Sequence, residues 1–171
     1  SEQTAAAEGK VGMVRRDSMA MKPFCGYNFA DYFAHWINVG SKLAKPPRIY
    51  HVNWFRRDAD GKFLWPGFGD NLRVLAWMLD RCGGGERLDH GGHGGRGGAV
   101  ESAIGFLPRA SDLNLSGLNL APGTLDALLA VDREEWRKEA AEIRAYLGEF
   151  GARIPAALMA ELAKVERALG A

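Results

Sequence analysis

The sequence contains few cysteines, almost no net charge and no long apolar run. Its 171 residues include only Cys25 and Cys82, which is too few for the disulfide framework of a small secreted domain and favours a reducing, cytoplasmic location. The formal net charge of +1 gives no overall electrostatic attraction to nucleic acid. No apolar run approaches the roughly 20 residues that span a bilayer, and the first residues lack the basic and apolar regions of a signal peptide. We therefore expect neither a nucleic-acid partner nor a membrane partner.

The composition that remains is that of a globular domain. Hydrophobic residues make up 47% of the chain and charged residues 25%. Many of the 22 glycines fall within 83–98, together with His90 and His93. This stretch is predicted to be a flexible insert because it cannot bury apolar surface. A zinc site is not predicted there, since Cys82 and the two histidines are loosely spaced and lack a fourth ligand. The chain opens without methionine, in a small polar stretch over 1–12, and we expect it to be a piece of a longer protein.

Apolar residues recur at helical spacing in the first half of the chain. One helix is predicted from Asn28, as its N-cap, to Val39. A second helix is predicted from Asp70, again as N-cap, to about Arg81. The residues predicted to face the core from this second helix are Leu75, Met78 and Leu79.

The last part of the chain, 124–171, is predicted to form a helical tail. Asp132 and Glu135 have the spacing of a capping box, and Pro155 is typical of the first turn of a last helix. Stripes of this kind are more typical of core packing than of an intersubunit coiled coil. The two stripes comprise Trp136, Ala140, Ile143, Leu147 and Phe150, and then Leu158, Leu162, Val165 and Leu169.

Two short segments have the pattern of β-structure. Alternation over Ile49–Phe55 predicts a strand. The acidic and glycine residues of 58–61 predict a turn, after which Phe63–Trp65 would return as the second strand until Pro66 ends it. The apolar run 104–108 is predicted to be buried. Together with the helices, these strands predict a mixed α/β fold.

Aromatic residues are unusually dense between positions 54 and 68. Because neighbours in a strand point to opposite faces, Trp54 and Phe55 cannot both enter one core. Phe68 lies between two glycines in a loop, which is an unfavourable place for a purely structural ring. One interpretation is a hairpin whose rings enter the core. The other is a cleft in which Phe55 and Phe68 stack on a flat heteroaromatic base, with Asn71 supplying the donor and acceptor that would select the base.

The glycines around Phe68 do not have the pattern of a phosphate-binding loop. The segment 67–71 lacks the Gly-Lys-Ser/Thr ending of a Walker A loop and does not complete a Gly-x-Gly-x-x-Gly pattern. It is therefore not predicted to hold phosphate.

Three segments combine uncommon residues in a fixed order. They are 19–28 (Met-Ala-Met-Lys-Pro-Phe-Cys-Gly-Tyr-Asn), 51–58 (His-Val-Asn-Trp-Phe-Arg-Arg-Asp) and 61–71 (Gly-Lys-Phe-Leu-Trp-Pro-Gly-Phe-Gly-Asp-Asn). Together they closely resemble signatures of the GTP-dependent phosphoenolpyruvate carboxykinases. The similarity runs from Glu2 to the end of the chain, whose length fits the C-terminal quarter of such an enzyme.

The resemblance implies an activity and its cofactors. Enzymes of this family convert oxaloacetate and GTP to phosphoenolpyruvate, GDP and carbon dioxide, a step of gluconeogenesis, with a mixed α/β nucleotide-binding lobe. It also implies Mn²⁺ and Mg²⁺ in the complete enzyme. The metal ligands, the phosphate-binding loop and the reactive cysteine would all lie upstream, so no catalytic residue is expected in this chain. We expect a monomer whose small-molecule partners are GTP and, through the rest of the enzyme, oxaloacetate or phosphoenolpyruvate.

The resemblance further implies a guanine pocket within 49–71. In the family, the phenylalanines that match Phe55 and Phe68 sandwich the purine, and the one that matches Phe63 packs on its edge. The tryptophan matching Trp54 lies alongside, and the asparagine matching Asn71 hydrogen-bonds the guanine. These roles are carried over to this chain as expectations.

Two further features follow from the same resemblance. Gly69 and Asp70 belong to the implied pocket, and backbone contacts at Asp70 should survive the change from the glutamate that the family usually has there. The opening segment 1–12 resembles the family's mobile lid, which closes over bound substrates and excludes water. The lid residues implied are Glu2, Thr4, Ala5, Ala6 and Ala7.

A different class of function stays open as an alternative. A non-catalytic module could bind a purine nucleotide or single-stranded RNA on the same rings, with Arg56, Arg57 and Lys62 supplying positive charge. The net charge of +1 disfavours an RNA-tracking groove. A steep fall of RNA affinity with salt would distinguish this alternative from the enzyme.

Overall fold

The computed structural model describes residue 16 and residues 21–83 and 98–170. This part of the chain combines helices with an antiparallel pair of strands, which agrees with the predicted mixed α/β class. The chain divides into two compact units, Ser1–Pro46 with Glu134–Ala171 (the helical unit) and Pro47–Arg133 (the loop unit). The elements are α1 (Phe29–Lys42), α2 (Asn71–Cys82), β1 (Val100–Ser102), β2 (Gly105–Leu107), α3 (Thr124–Leu129), α4 (Arg133–Gly148) and α5 (Ala156–Leu169).

Helix α1 begins where the sequence predicts. The Asn28 side chain accepts a hydrogen bond from the Ala30 backbone N–H at 2.9 Å, which satisfies a donor at the helix N-terminus. Phe29 and Phe33 are buried and lie edge to face, with ring centroids 4.9 Å apart. The Phe150 ring packs edge-on against Phe33 at 5.8 Å. This aromatic cluster forms the core between α1 and the end of α4 in the helical unit.

The apolar stripes predicted for the last two helices are confirmed. Ala140 and Leu147 of α4 are buried, and so are Leu162 and Leu169 of α5. Helix α5 follows Pro155 directly, as the sequence predicts. Both stripes therefore face the core of the helical unit.

Ion pairs link the elements of the helical unit. The guanidinium of Arg144 on α4 donates to both carboxylate oxygens of Glu166 on α5, with Nε to Oε1 at 2.8 Å. This pairing lowers the pKa of Glu166, chiefly through the hydrogen bonds from Arg144. Arg16 donates to Glu139 at 2.9 Å and to Glu142 at 2.8 Å, and these bonds raise the pKa of Arg16, the Glu139 bond most.

Helix α2 orients differently from the prediction. Leu75 and Leu79, predicted to face the core, are 41% and 56% exposed, and only Met78 of the predicted set is half-buried. The buried residue is Trp77, whose indole N–H donates to the Gly98 carbonyl oxygen at 2.8 Å. The large ring and its hydrogen bond rotate the helix so that the Trp77 side faces inward, and the leucine prediction is wrong.

The predicted strand over Ile49–Phe55 does not form. Asn53 is the reason, because its side-chain oxygen accepts a hydrogen bond from the Phe55 N–H at 2.9 Å and turns the chain at Trp54 and Phe55. The predicted alternation of exposure is nevertheless present: Tyr50 and Trp54 are half-buried, whereas Ile49 and Phe55 are 80% and 65% exposed. An antiparallel bridge then forms later, between Arg57 and Phe63. The segment therefore forms a short hairpin with a single bridge, and not a pair of full strands.

The apolar run 104–108 forms strand β2 and is not buried as predicted. Its partner is β1, with Val100 opposite Leu107 and Glu101 opposite Phe106. Phe106 is 60% exposed and Val100 is 46% exposed. The pair is a two-stranded ribbon, and among the described residues no third strand pairs with either of its outer edges.

Some predictions fall outside the described residues. The lid segment 1–12 and most of the glycine-rich insert, 84–97, belong to this group. Among the helices that the structure does describe, none is long and apolar enough to cross a bilayer.

Candidate functional site

A tight hairpin turn positions the first two rings of the candidate site. The Asp58 side chain accepts hydrogen bonds from the backbone N–H groups of Asp60 at 3.0 Å and Lys62 at 2.8 Å. Gly61 adopts a φ of 78°, a left-handed conformation that glycine tolerates without steric cost. The turn predicted from the sequence is confirmed, and Phe63 follows it directly.

Phe55 and Phe63 lie together on the surface of the loop unit. Their ring centroids are 6.1 Å apart and their planes are inclined by 61°. Phe55 is 65% exposed and Phe63 is 51% exposed. The Arg57 guanidinium lies 4.2 Å from the Phe63 ring centroid and also donates to the Gly61 carbonyl oxygen at 2.9 Å, which restrains the Phe63 ring. Both phenylalanines therefore offer apolar surface to a ligand, with Trp54 half-buried beside Phe55 in the chain.

Phe68 is, among the described residues, the one residue other than glycine with a positive φ. It begins a 3₁₀ turn, Phe68–Asp70, with a φ of 47°, and its side chain is 96% exposed. A left-handed backbone costs a residue other than glycine about 1–2 kcal/mol, and an exposed ring recovers none of this by burial. Among the described residues, Phe68 has no ring contact with Phe55 or Phe63. Strain of this kind at a bare aromatic ring is typical of a residue that is held ready for a ligand.

Hydrogen bonds of its backbone and of its side chain hold Asn71 next to Phe68. Its backbone N–H donates to the carbonyl oxygens of Phe68 and Gly69, which closes the turn. Its side-chain Oδ1 accepts from the indole Nε1–H of Trp65 at 2.9 Å. The amide oxygen of Asn71 is thus turned toward Trp65 and keeps one further lone pair, while the amide nitrogen carries two N–H donors.

Asp70 occupies the N-cap position of helix α2, as predicted, but its side chain makes no capping hydrogen bond. It accepts instead from Arg73 Nε at 2.8 Å. Arg73 also donates to the carbonyl oxygens of Asn114 at 2.6 Å and Ser116 at 2.9 Å. Arg73 thus ties the start of α2 to a distant loop of the same unit. A Cβ at Gly69 would meet no atom within 4 Å, so the backbone there is open to a ligand.

The structure places the predicted residues in two groups within the loop unit. Phe55 and Phe63 share a ring contact, and Phe68, Asp70 and Asn71 share one turn with Gly69 between them. Sequence reasoning missed Trp65, which is 6% exposed and bonded to Asn71. A buried indole N–H needs a hydrogen-bond acceptor. The signal in the sequence was therefore an asparagine in the same loop, six residues after the tryptophan.

The site contains rings and hydrogen-bonding groups but no arrangement for holding a metal ion. Among the residues that the structure describes, no three histidine, cysteine, aspartate or glutamate side chains are close enough together to bind one. The resemblance assigns the manganese and magnesium ligands of the complete enzyme to residues upstream of this chain. The described rings and hydrogen-bonding groups are suited to binding a planar, uncharged aromatic group by stacking and hydrogen bonding.

Comparison with known proteins places this chain in a family. Residues 1–168 match the model of the phosphoenolpyruvate carboxykinase C-terminal P-loop domain. The chain belongs to the GTP-dependent phosphoenolpyruvate carboxykinase family. It is 45% identical over 169 residues to a protein of Thermoplasma volcanium named phosphoenolpyruvate carboxykinase [GTP], and 47% identical over 170 residues to a protein of that name from Chlamydia caviae. A third relative with this name, from Treponema pallidum, is 49% identical over 170 residues.

The chain corresponds to only part of these relatives. The matches cover 97% to 99% of this chain but about a quarter of each relative, 26% to 27%. The family predicted from the three sequence segments is therefore confirmed. The roles of individual residues are a separate question.

Proposed function

We propose that this chain supplies the guanine-binding pocket of a GTP-dependent phosphoenolpyruvate carboxykinase. The complete enzyme would convert oxaloacetate and GTP to phosphoenolpyruvate, GDP and carbon dioxide. The single observation that supports this role best is the ring of Phe68, which is 96% exposed on a left-handed backbone directly before Asn71. Family membership supports GTP as the nucleotide, since the curated relatives carry it in their names.

The pocket would hold guanine mainly by stacking. The faces of Phe55 and Phe68 would sandwich the purine, and each aromatic contact of this kind contributes about 1–3 kcal/mol. Phe63 would pack on the edge of the base, held in place by Arg57. Trp54 would lie alongside. Binding the base in this way positions the triphosphate but does not itself move a proton or a phosphoryl group.

Asn71 would distinguish guanine from adenine. Guanine carries an acceptor oxygen at position 6, where adenine carries an amino group that donates. The amide nitrogen of Asn71, left free by the Trp65 bond, can donate to such an oxygen. Opposite an amino group, the same nitrogen would leave two donors facing each other, each unpaired.

The remaining parts of the reaction are assigned to residues outside the described part of the chain. Phosphate binding, metal binding and decarboxylation are proposed to depend on upstream residues, in a cytoplasmic enzyme. The lid role of Glu2, Thr4, Ala5, Ala6 and Ala7 is supported by the resemblance alone. When it closes, such a loop would exclude water from the enolate that decarboxylation produces.

Nucleotide binding by variants of the enzyme that carries this chain tests the proposal. We expect Phe55→Ala and Phe68→Ala each to weaken the free energy of GTP binding by about 1–3 kcal/mol, because a stacking face is lost. Isothermal titration calorimetry measures this. Asn71→Ala should reduce the preference for GTP over ATP by about tenfold, since one base contact is removed.

Phe106→Ala is the matched control for these measurements. Phe106 is also an exposed phenylalanine of the loop unit, at 60%, but it lies on strand β2 outside the candidate site. We expect it to bind GTP as the parent protein does. GTP affinity unchanged in both Phe55→Ala and Phe68→Ala would contradict the proposed pocket.

A further inference from the structure

We propose that Trp65 is a positioning residue that sets the base preference of the pocket by fixing the amide of Asn71. This inference rests on the proposed guanine-binding function and names a residue that determines its specificity. Trp65 does not belong to the sandwich of rings, because its own ring is 6% exposed. It would act through its single polar atom.

The hydrogen bond between the two side chains has only one possible polarity. An indole nitrogen donates and cannot accept, so the Asn71 atom that receives it at 2.9 Å is the amide oxygen. An isolated asparagine amide can rotate by half a turn and exchange its oxygen for its nitrogen at little cost. With Trp65 in place, that rotation would bring the amide nitrogen against the indole N–H and leave a buried donor unpaired, which is unfavourable.

The surrounding structure holds both partners in place. The Asn71 backbone is fixed by its hydrogen bond to Phe68, and Asp70 beside it is bound by Arg73. Trp65 is buried, and it is followed in the chain by Pro66 and by Gly67, which has a left-handed backbone with a φ of 79°. Neither side chain can therefore move far from the other while the turn is formed.

A fixed amide makes the pocket selective for one class of base. With the amide oxygen turned to Trp65, the amide nitrogen would be the group presented to the base. Purines with an oxygen at position 6 would then be accepted, and those with an amino group there would be disfavoured. Without Trp65, the amide could rotate to present its oxygen and accept from the amino group of adenine. The main effect of Trp65 is therefore to prevent adenine nucleotides from being accommodated.

The test is Trp65→Phe in the enzyme that carries this chain. This change keeps an aromatic ring and removes the N–H donor. We expect the GTP:ATP ratio of affinities to fall by about three- to tenfold, mainly through tighter ATP binding. Inosine triphosphate has the oxygen at position 6 but lacks the 2-amino group, and Trp65→Phe should change its affinity as it changes that of GTP. An equal loss of affinity for GTP, inosine triphosphate and ATP would indicate a merely structural role and overturn the proposal.

Trp77→Phe is the matched control. Trp77 is as deeply buried as Trp65, at 4% exposed, and its indole N–H also makes a hydrogen bond, but to the backbone oxygen of Gly98. We expect this variant to lose stability without a change in the GTP:ATP ratio. A fall of the ratio in Trp77→Phe equal to that in Trp65→Phe would also overturn the proposal.

A double-mutant cycle separates this inference from the proposed function. If Trp65 acts through Asn71, then Trp65→Phe should not change the GTP:ATP ratio in an Asn71→Ala background. A full additional effect in that background contradicts the inference alone. If Phe55→Ala and Phe68→Ala both leave GTP affinity unchanged, the proposed pocket itself is wrong.

A measurement on the unmodified Trp65 covers the case in which Trp65→Phe does not fold. The indole N–H of Trp65 should exchange slowly with solvent in nuclear magnetic resonance spectra, and faster in Asn71→Ala. The indole N–H of Trp77 should exchange at the same rate in both proteins. Equal exchange of the Trp65 indole in both would show that the hydrogen bond does not hold Asn71.

Discussion

Phe68 illustrates how a single residue can be placed against its own conformational preference. Its φ of 47° and its exposure of 96% mean that the folded protein gains nothing from the ring itself. Gly67, with a φ of 79°, leads the chain into this conformation. The strain is offset by the rest of the turn, in which the Asn71 N–H bonds to the Phe68 carbonyl oxygen. Stability and the proposed ligand binding would therefore depend on different atoms of the same residue.

Phe68→Gly tests this separation. Glycine adopts the left-handed backbone without the penalty of about 1–2 kcal/mol, although its greater freedom in the unfolded chain opposes folding by up to about 1 kcal/mol. We expect the thermal midpoint to stay equal or to rise slightly, while GTP affinity falls by about 1–3 kcal/mol. Differential scanning calorimetry and titration calorimetry measure the two effects. A large fall of the midpoint would show that the ring supports the fold.

At the scale of elements, helices were easier to predict from the sequence than the loops between them. The spacing of apolar residues predicted α1, α4 and α5, and in the structure Ala140, Leu147, Leu162 and Leu169 are buried as that spacing requires. Helical periodicity is a local, repeated signal. It does not determine which face of a helix is buried when leucines lie on one face and a tryptophan on another. In α2 the tryptophan is buried and the leucines are exposed.

The errors in the site region have local physical causes. The strand predicted to reach Phe55 is interrupted because the Asn53 side chain bonds to a backbone N–H two residues further on. Asp70 occupies the predicted N-cap position, but its side chain pairs with Arg73. The bond between Trp65 and Asn71 joins side chains in a loop, where no periodic pattern exists to reveal it. These interactions are specific to individual side-chain positions, so patterning could suggest the aromatic residues of the candidate site but not its hydrogen bonds.

The contact between α4 and α5 predicts a pH dependence of stability. The pKa of Glu166 is lowered from its ordinary 4.5 by hydrogen bonds from Arg144. The stabilisation from this pair is therefore complete above pH 4.5 and is lost as the pH falls through the lower folded-state pKa. We expect Glu166→Gln to lower the thermal midpoint slightly near neutral pH and to have progressively less effect in acid.

Glu161→Gln is the control for this experiment. Glu161 lies on the same helix and pairs with Lys164 one turn away, so its loss removes a charge without removing a contact between helices. The two variants should differ near neutral pH and converge in acid when melted over a pH series. If the effect of Glu166→Gln were the same at every pH, the ion pair would not be its cause.

At the scale of the whole molecule, the balance of charge separates a nucleotide pocket from a strand-binding surface. The net charge is +1 over 171 residues, and two of the three basic residues near the rings, Arg56 and Arg57, already have other contacts. Arg57 lies over Phe63, and Arg56 donates to the Leu128 carbonyl oxygen at 3.4 Å. A surface that follows an RNA backbone instead needs a groove of unpaired positive charge.

We therefore expect no tight binding of single-stranded RNA. Fluorescence anisotropy with a short oligouridine, measured over a series of salt concentrations, should show weak affinity at physiological salt. GTP should bind under the same conditions. Tight RNA binding that decreases steeply as salt rises would support the non-catalytic alternative, because such a slope reports the number of phosphates contacted.

The contacts of Arg73 have a consequence for how the sequence can vary. Arg73 binds the loop after Leu113 through two carbonyl oxygens, which every amino acid supplies. Substitutions at Ser116 therefore preserve the acceptor, whereas replacement of Arg73 removes the donor for both carbonyl oxygens and for Asp70 at once. The turn that contains Phe68 is thus sensitive to replacement of Arg73 and tolerant of substitutions at Ser116.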